Sequence, residues 1–225
     1  MGIDVGPIET TDLLALNFDA ANIRSYSGSG ITVNGLVSGI GFTLVNGVGF
    51  GTTATRYFIL DGVDDNIPFN IPNVGTTITI EMWAKIRAFG GGMPFGFLLY
   101  DVWTANGAMG YNTAVSDQYG LTSTQVTNLG LLNQWKHYIF EMRSDVAYTN
   151  NKIYINAVNQ SLSQVGGSES SGNRNFNSGN GRISSWLNSS AFNISMDLAQ
   201  FQVYNRALST TEIFQNYHAT KGRYK

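Results

Sequence analysis

Apolar and polar positions alternate along much of the chain, and the alternation predicts β-strands. The longest stretch covers residues 77–86, and its apolar face consists of Ile78, Ile80, Met82, Ala84 and Ile86. Successive side chains of a strand point to opposite faces, so a period of two is typical of a strand with one face in a core. We therefore expect residues 77–86 to form a long strand of a packed sheet.

A second alternation, near the C-terminus, is followed by a helix signal. Apolar and polar residues alternate over 199–204, which predicts a half-buried strand. Ser209 precedes Glu212 by three residues, the spacing of a capping box that starts a helix. We expect one short helix over 210–218, with an apolar stripe of Ile213, Phe214 and Tyr217.

Turn signals separate the predicted strands. Asn34-Gly35 and Asn46-Gly47 lie between apolar runs and predict type I′ hairpin turns, and Asn106-Gly107 turns another strand back. Ala157 occupies the place after Asn156 where glycine is usual, so that hairpin is not expected to be a tight two-residue turn. Residues 164–180 are rich in Gly, Ser and Asn and predict a long loop.

Length, composition and charge favour one all-β domain. The chain has 225 residues, 43% of them hydrophobic, and no cysteine, so a large core without disulfides is expected. A net charge of −2 with 12% charged residues excludes a nucleic-acid footprint. No signal peptide and no run of about 18 apolar residues is recognised, so membrane insertion is not expected. We expect an extended N-terminal arm over 1–12, able to grip a neighbouring subunit, and one domain over 13–225.

Several motifs, in order, carry a resemblance to a known family. The strand, Asn205-Arg-Ala-Leu-Ser209 and single helix resemble the end of laminin G-like domains of the concanavalin A-like lectin/glucanase group. Residues 14–30 resemble the opening of such domains in bacteriophage virion proteins, and residues 58–65 and 135–137 match two further elements. The resemblance implies an all-β, two-sheet antiparallel jelly-roll sandwich with one short C-terminal helix.

Three aromatic residues are candidates for ligand binding. Trp83 lies on the more polar face of the 77–86 strand, and Trp103 and Tyr111 flank the Asn106-Gly107 turn. An exposed aromatic ring among hydrogen-bonding groups suits the apolar face of a sugar. The alternative is that Trp83 lies beneath a covering segment, and that Trp103 and Tyr111 pack in the core or in loops.

Two metal-binding possibilities arise. The resemblance implies a structural Ca²⁺ where the first and last strands meet, at Asp19 and Asp197. The alternative is that these carboxylates cap turns. Asp64 and Asp65 could also coordinate Ca²⁺, but neighbouring side chains on a strand point to opposite faces, which favours a solvated turn.

Catalysis is not expected. The glucanases of this group use two glutamates on one strand, and no such spacing occurs in the chain. His137 is expected to be a packed strand residue rather than a base.

Two functions remain open at this stage. The first is a non-enzymatic virion structural or accessory protein, a capsid decoration or tail component on the particle surface, in contact with other virion proteins, either as a monomer or as a homo-oligomer. The second is a carbohydrate-binding module that attaches to host surface glycans.

Overall fold

The described part of the chain forms two stacked antiparallel sheets. The computed structural model describes residues 8–37, 39–112, 117–144, 146–167, 176, 178–187, 189 and 191–224. Its strands are β1 (Leu14–Asp19), β2 (Thr32–Asn34), β3 (Gly41–Thr43), β4 (Gly49–Gly51), β5 (Tyr57–Asp61), β6 (Ile67–Asn70), β7 (Thr77–Ile86), β8 (Phe95–Gly96), β9 (Asp101–Ala105), β10 (Ala108–Asn112), β11 (Gln118–Leu121), β12 (Lys136–Arg143), β13 (Lys152–Ile155), β14 (Val158–Asn159), β15 (Ser163–Gly166), β16 (Asn180–Ile183) and β17 (Ser195–Tyr204). Its helices are α1 (Ser123–Asn128) and α2 (Thr210–Thr220), with 3₁₀ turns at Tyr148–Asn150 and Lys221–Arg223.

The strand order confirms the sandwich predicted from the sequence. The first sheet has the order β14-β13-β12-β7-β17-β5-β4, and β1 pairs with the second half of β17. The second sheet has the order β15-β11-β10-β9-β8-β16-β6, while β2 and β3 form a separate hairpin. All these strand pairs are antiparallel, and α2 is the single short C-terminal helix expected.

Aromatic residues fill the space between the two sheets. The rings of Phe140 on β12 and Phe95 on β8 lie 5.2 Å apart, and those of Phe201 on β17 and Phe69 on β6 lie 5.4 Å apart. The five apolar residues expected on one face of β7 are all buried in this core. Burying one such side chain contributes about 1.5–3 kcal/mol, so the inter-sheet core is the main source of stability.

The outer face of the first sheet is covered, which the sequence did not predict. Nine of the ten residues of β17 are buried, although the alternation predicted a half-buried strand. The reason is that α2 and residues 8–12 lie over the polar side of β17. A bulge between Leu198 and Gln200 also turns Ala199 outward, where it contacts Trp83 and Tyr224.

Helix α2 begins at the predicted capping box. The Ser209 side chain accepts a hydrogen bond from the Glu212 backbone, and the Glu212 carboxylate accepts one from the Ser209 backbone. The predicted apolar stripe is only partly correct, because Phe214 is 57% exposed. The buried residues of α2 are Ile213, Asn216 and Thr220. The helix therefore contacts the sheet through both apolar and polar side chains, and the polar ones lie over the polar face of the sheet.

Only the second part of the expected N-terminal arm is described. Residues 1–7 lie outside the described residues. In the remainder, the Thr10 backbone N–H donates to Asn216 of α2 at 2.8 Å, and the Tyr204 hydroxyl donates to the Thr10 carbonyl at 3.0 Å. This part of the segment therefore contacts its own chain.

Three of the predicted turns differ from expectation. Asn46-Gly47 has a positive φ at both residues but does not join a hairpin, because β3 pairs with β2 and β4 pairs with β5. Asn34-Gly35 opens a longer loop closed by a hydrogen bond from the Gly35 N–H to the Ile40 carbonyl, because β3 starts only at Gly41. Conversely, residues 156–157 do form a two-residue turn between β13 and β14, with φ angles of 51° and 67°. Asn106-Gly107 makes the tight turn that was predicted.

The predicted loop over 164–180 begins later than expected, because Gln164–Gly166 belong to β15. Much of the remainder lies outside the described residues. Within the described part of the chain, the helices are too short and too polar to span a lipid bilayer.

Replacing Ala157 by glycine tests the strain in the β13–β14 turn. A left-handed conformation costs a non-glycine residue roughly 1–2 kcal/mol, so Ala157→Gly should raise the free energy of unfolding by about 1 kcal/mol in urea denaturation. Ala105→Gly, in a strand next to the Asn106-Gly107 turn, is the control and should lower the free energy of unfolding by roughly 0.5–1 kcal/mol. A loss of stability in Ala157→Gly would contradict the turn geometry.

Candidate functional site

An open cavity of about 400 Å³ lies at one end of β17. Three loops form its wall: the turn after β5, the loop between β7 and β8, and the segment leading into β17. The lining residues are Asp61, Gly62, Val63, Ala88, Gly90, Gly91, Gly92, Ala191, Phe192, Asn193, Ile194 and Ser195. Cavities of about 300–1,000 Å³ are the usual size of small-ligand sites.

Two glycines let the three loops approach each other. A Cβ atom on Gly62 would lie 2.7 Å from the Ser195 backbone nitrogen, and Gly62 has a φ of +84°. A Cβ atom on Gly92 would lie 2.6 Å from the Cβ of Ile194. A side chain at either position would push the walls apart, so glycine is required there.

Trp103 supports the cavity wall from behind. Its indole N–H donates to the Gly91 carbonyl at 3.1 Å, and the neighbouring Thr104 donates to the Gly92 carbonyl through both its backbone N–H and its hydroxyl, each at 2.8 Å. Trp103 is half-buried. Of the three aromatic candidates, it is the one that the structure places beside the cavity.

Phe192 is the aromatic side chain on the cavity wall itself. It is 41% exposed, and its backbone has a φ of 67°, in the left-handed region that bulky residues rarely adopt. Its ring makes edge contacts with Trp103 and Trp186, each with centroids 6.4 Å apart. Backbone strain of this kind is concentrated at functional sites. The sequence carried no signal for Phe192, since no periodicity or motif includes it.

The polar groups of the cavity are acidic or neutral. Asp61 and Asn193 contribute a carboxylate and an amide, the three consecutive glycines contribute backbone, and the lining contains no lysine or arginine. An exposed ring next to hydrogen-bonding groups can bind a ligand that has one apolar face and several hydroxyls.

The other two aromatic candidates lie far from solvent. Trp83 is 3% exposed; its ring stacks on Tyr224 with centroids 4.2 Å apart, and its indole N–H donates to the Thr220 hydroxyl at 2.8 Å. Of the two placements left open for Trp83, the structure shows the covered one, with the C-terminal segment as the cover. Tyr111 is fully buried between the sheets and donates to the Lys152 carbonyl at 2.6 Å. Neither ring offers a face to a ligand in solvent.

The structure does not bring Asp19 and Asp197 together. Asp19 pairs across the sheet with Gln200, three residues along β17 from Asp197. Asp19 accepts two hydrogen bonds of 2.7 Å from Arg223, and Asp197 forms ion pairs with Lys85 at 2.7 Å and with Arg87. Each carboxylate is thus neutralised by basic side chains of this chain.

A different group of carboxylates could hold a metal ion. Oxygen atoms of Asp61, Asp64 and Asp65 all lie within 4.8 Å of one another. Asp64 and Asp65 lie in the turn between β5 and β6 rather than within a strand, and in a turn neighbouring side chains can converge. The expectation of a solvated turn is also wrong for Asp65, which is 3% exposed.

A buried polar cluster lies under α2. His137 is fully buried, as expected, and its Nε2 lies 2.6 Å from Oε1 of Glu81. The second Glu81 oxygen accepts a hydrogen bond of 2.8 Å from Asn216 of α2. Because the helix closes this cluster from above, we interpret it as a packing feature rather than a site.

Glu9 of the N-terminal segment lies against the same face. Its carboxylate accepts hydrogen bonds from Gln200 at 2.7 Å and from Gln202 at 2.9 Å. Burial, followed by the nearby charge of Glu81, raises the pKa of Glu9 to about 7. The contact is therefore sensitive to pH near neutrality.

Comparison with known protein families assigns residues 61–214. They match a laminin G family model described as concanavalin A-like lectin/glucanases superfamily. Among curated protein sequences, none matches the chain.

Solved structures with the same fold include toxins and a sialidase. The ligand binding domain of botulinum neurotoxin serotype D, in complex with N-acetylneuraminic acid, matches with a TM-score of 0.64 and 13% identity over 93% of this chain and 51% of that chain. The receptor binding domain of the botulinum neurotoxin C/D mosaic serotype matches with a TM-score of 0.63 and 13% identity over 92% and 51%. Trypanosoma rangeli sialidase matches with a TM-score of 0.64 and 14% identity over 95% and 34%. The chain thus spans about half of the toxin domains and a third of the sialidase.

The Glu9 contact predicts a specific dependence of stability on pH. Glu9 has a pKa of about 7 in the folded chain and near 4.5 in the unfolded chain. Between these two pH values Glu9 is therefore mostly protonated when the chain is folded and mostly ionised when it is unfolded. Its contribution to stability is therefore lost as pH rises through this window. The melting temperature should fall more between about pH 5 and pH 8 in the wild type than in Glu9→Gln.

Glu212→Gln is the control for this experiment. A hydrogen bond from Arg206 lowers the pKa of Glu212 to about 2, so this group does not titrate in the same window. Glu212→Gln should change the melting temperature by a similar amount at both pH values. Equal pH slopes in the wild type and Glu9→Gln would contradict the assignment.

Proposed function

Because the chain belongs to the concanavalin A-like lectin/glucanases superfamily, we propose that it is a non-enzymatic carbohydrate-binding domain whose ligand occupies the cavity at the start of β17. The observation that carries this proposal is Phe192, an exposed aromatic ring held in a strained backbone on the wall of that cavity. Such a ring can stack on the C–H face of a sugar while the exposed Asp61 carboxylate accepts hydrogen bonds from its hydroxyls.

The charge of the cavity favours a neutral glycan. Asp61 is the one acidic lining residue, and Asp64 and Asp65 lie close behind it. No lining residue carries a positive charge that would pair with an acidic sugar. An anionic ligand would meet uncompensated repulsion, so neutral hexoses or N-acetylated hexoses fit the cavity best.

The same lining supports binding without catalysis. Hydrolysis of a glycosidic bond by the usual route requires two carboxyl groups on opposite sides of the bond. The described lining supplies one, Asp61, and the two neighbouring aspartates belong to the same turn rather than to the facing wall. The neurotoxin domain found with N-acetylneuraminic acid has a similar fold and is a binding domain.

A second proposal concerns where the domain works. The opening run over 14–30 resembles laminin G-like domains of bacteriophage virion proteins. Just before this run, the apolar side chains of Ile8 and Leu13 are 70% and 59% exposed. Another protein of the particle could cover these two side chains. The domain would then be a decoration or tail component on the particle surface, either alone or as a homo-oligomer, presenting its cavity to host glycans.

A glycan array tests the binding proposal. Wild-type protein should bind a subset of neutral glycans, and Phe192→Ala should weaken that binding about 5- to 30-fold, since stacking on one aromatic ring contributes roughly 1–2 kcal/mol. Phe214→Ala is the matched control, because Phe214 is an even more exposed phenylalanine (57%, against 41% for Phe192) on α2 and does not line the cavity. The control should bind as the wild type does.

Two results would contradict the assignment. One is equal loss of binding in both phenylalanine variants, and the other is no wild-type signal for any glycan when the protein is shown to be folded by circular dichroism. Binding that survives in Phe192→Ala would place the glycan elsewhere on the sandwich.

Mass spectrometry of purified particles tests the virion proposal. Phage particles whose genome encodes the chain should contain it in a fixed ratio to the major capsid or tail protein after density-gradient purification. A non-structural protein of the same phage serves as the control and should be lost during purification. Absence of the chain from infectious particles would contradict the virion role and leave the glycan proposal standing.

A further inference from the structure

Three carboxylates converge in the turn between β5 and β6. Asp61, Asp64 and Asp65 each direct one oxygen into a common space in which these atoms lie within 4.8 Å of one another. Two unit charges 4 Å apart repel each other by about 4 kcal/mol at an effective dielectric constant of 20. Water screens part of this repulsion at the exposed Asp61 and Asp64, and a bound cation would remove the rest.

The described residues do not supply that charge. None of their ion pairs involves Asp61, Asp64 or Asp65. Asp19 and Asp197, by contrast, are each neutralised by basic side chains. Of the three positions compared, Asp19, Asp197 and this turn, the turn is the one whose carboxylates have no basic partner among the described residues.

Asp65 provides an independent observation. The residue is 3% exposed; its Oδ2 accepts a hydrogen bond of 3.1 Å from the Asp61 backbone, but its Oδ1 is buried and has no hydrogen-bond partner. A buried carboxylate oxygen without a donor is costly, and a bound cation would satisfy it.

Neighbouring amides hold the turn in this shape. Asn46 and Asn66 each donate to the Asp64 carbonyl at 3.0 Å, and Asn193 donates to the Asp65 carbonyl at 2.9 Å. The Asn193 side-chain oxygen is also buried without a partner. The turn is thus built by groups from three separate loops rather than by local sequence alone.

We propose that Asp61, Asp64 and Asp65 form a Ca²⁺ site at the edge of the cavity. The ligand set consists of oxygen atoms only, without histidine or cysteine, which suits a hard cation. Ca²⁺ tolerates irregular geometry and mixed carboxylate and amide ligands, whereas Mg²⁺ requires a near-ideal octahedron. A single turn with a partly exposed rim is therefore better suited to Ca²⁺.

The site also has a consequence for the cavity. Asp61 belongs both to the carboxylate group and to the cavity wall, and Asn193 joins the turn to the opposite wall. Bound Ca²⁺ would fix the distance between these two walls. This consequence, unlike the metal site itself, depends on the proposed glycan-binding function.

Isothermal titration with CaCl₂ tests the site on the whole chain. Wild-type protein should bind one Ca²⁺ with a dissociation constant of about 10⁻⁵–10⁻³ M, and Mg²⁺ more weakly. Asp64→Asn and Asp65→Asn should each weaken Ca²⁺ binding at least about tenfold, because each removes one ligand charge and keeps the side-chain shape. Asp12→Asn, an exposed carboxylate paired with Arg206, is the control and should leave binding unchanged.

Thermal denaturation separates a metal ligand from a merely structural carboxylate. Without Ca²⁺, Asp64→Asn should melt at a higher temperature than the wild type, because it removes repulsion. With Ca²⁺ at about a hundred times its dissociation constant, the wild type should gain about 5–10 °C and the order should reverse. A structural carboxylate would give the same order under both conditions. Asp64 is exposed, so this variant also remains informative if Asp65→Asn fails to fold.

Two outcomes would overturn the proposal. One is the absence of Ca²⁺ binding up to about 10 mM, beyond the weakest affinities of extracellular calcium modules. The other is Ca²⁺ binding that is equal in the wild type and in both variants of the turn. No sugar is present in these titrations. A negative result would therefore contradict the Ca²⁺ site and would leave the glycan-binding proposal untouched.

Discussion

The outer face of the first sheet is organised by one buried carboxylate, that of Glu81. It lies in the middle of β7, where neither water nor the inter-sheet core can satisfy it. His137 contacts one of its oxygens and Asn216 of α2 donates to the other. Because α2 shields this carboxylate from water, leaving it without these partners would cost several kcal/mol, so the contacts fix the helix in this position. The capping box at Ser209 fixes where that helix starts.

This cover determines where function can reside. With α2 and the N-terminal segment over the first sheet, Trp83 becomes part of the packing, stacked on Tyr224. Among the described residues, the cavity lies in the loops at the rim, where Gly62 and Gly92 allow it to form and Phe192 lies in its wall. The first sheet thus contributes to stability through both of its faces, and the loops are where the proposed ligand would bind.

Whereas the two-sheet sandwich was implied by the family resemblance, periodicity predicted individual strands, and residues 77–86 form β7 as expected. It did not predict which polar faces are covered, since coverage by α2 depends on contacts 135 residues apart, such as Asn216 with Glu81. The candidate site was predicted only in part. Trp103 was singled out and lies behind the cavity, whereas Phe192 and Asn193 follow no pattern and are brought there by long-range hydrogen bonds. The prediction that residues 156–157 would not form a tight turn was wrong. The pairing of β13 with β14 holds Ala157 in a left-handed conformation that alanine disfavours.

Strand β17 joins the two ends of this arrangement. Its first residue, Ser195, lines the cavity, and its last, Tyr204, holds the N-terminal segment through the Thr10 carbonyl. Ten residues of extended chain span about 33 Å. Residues 8–12 contact Gln200, Gln202 and Tyr204, in the second half of this strand. An assembly that held the protein by this segment would therefore leave the cavity at the start of β17 uncovered.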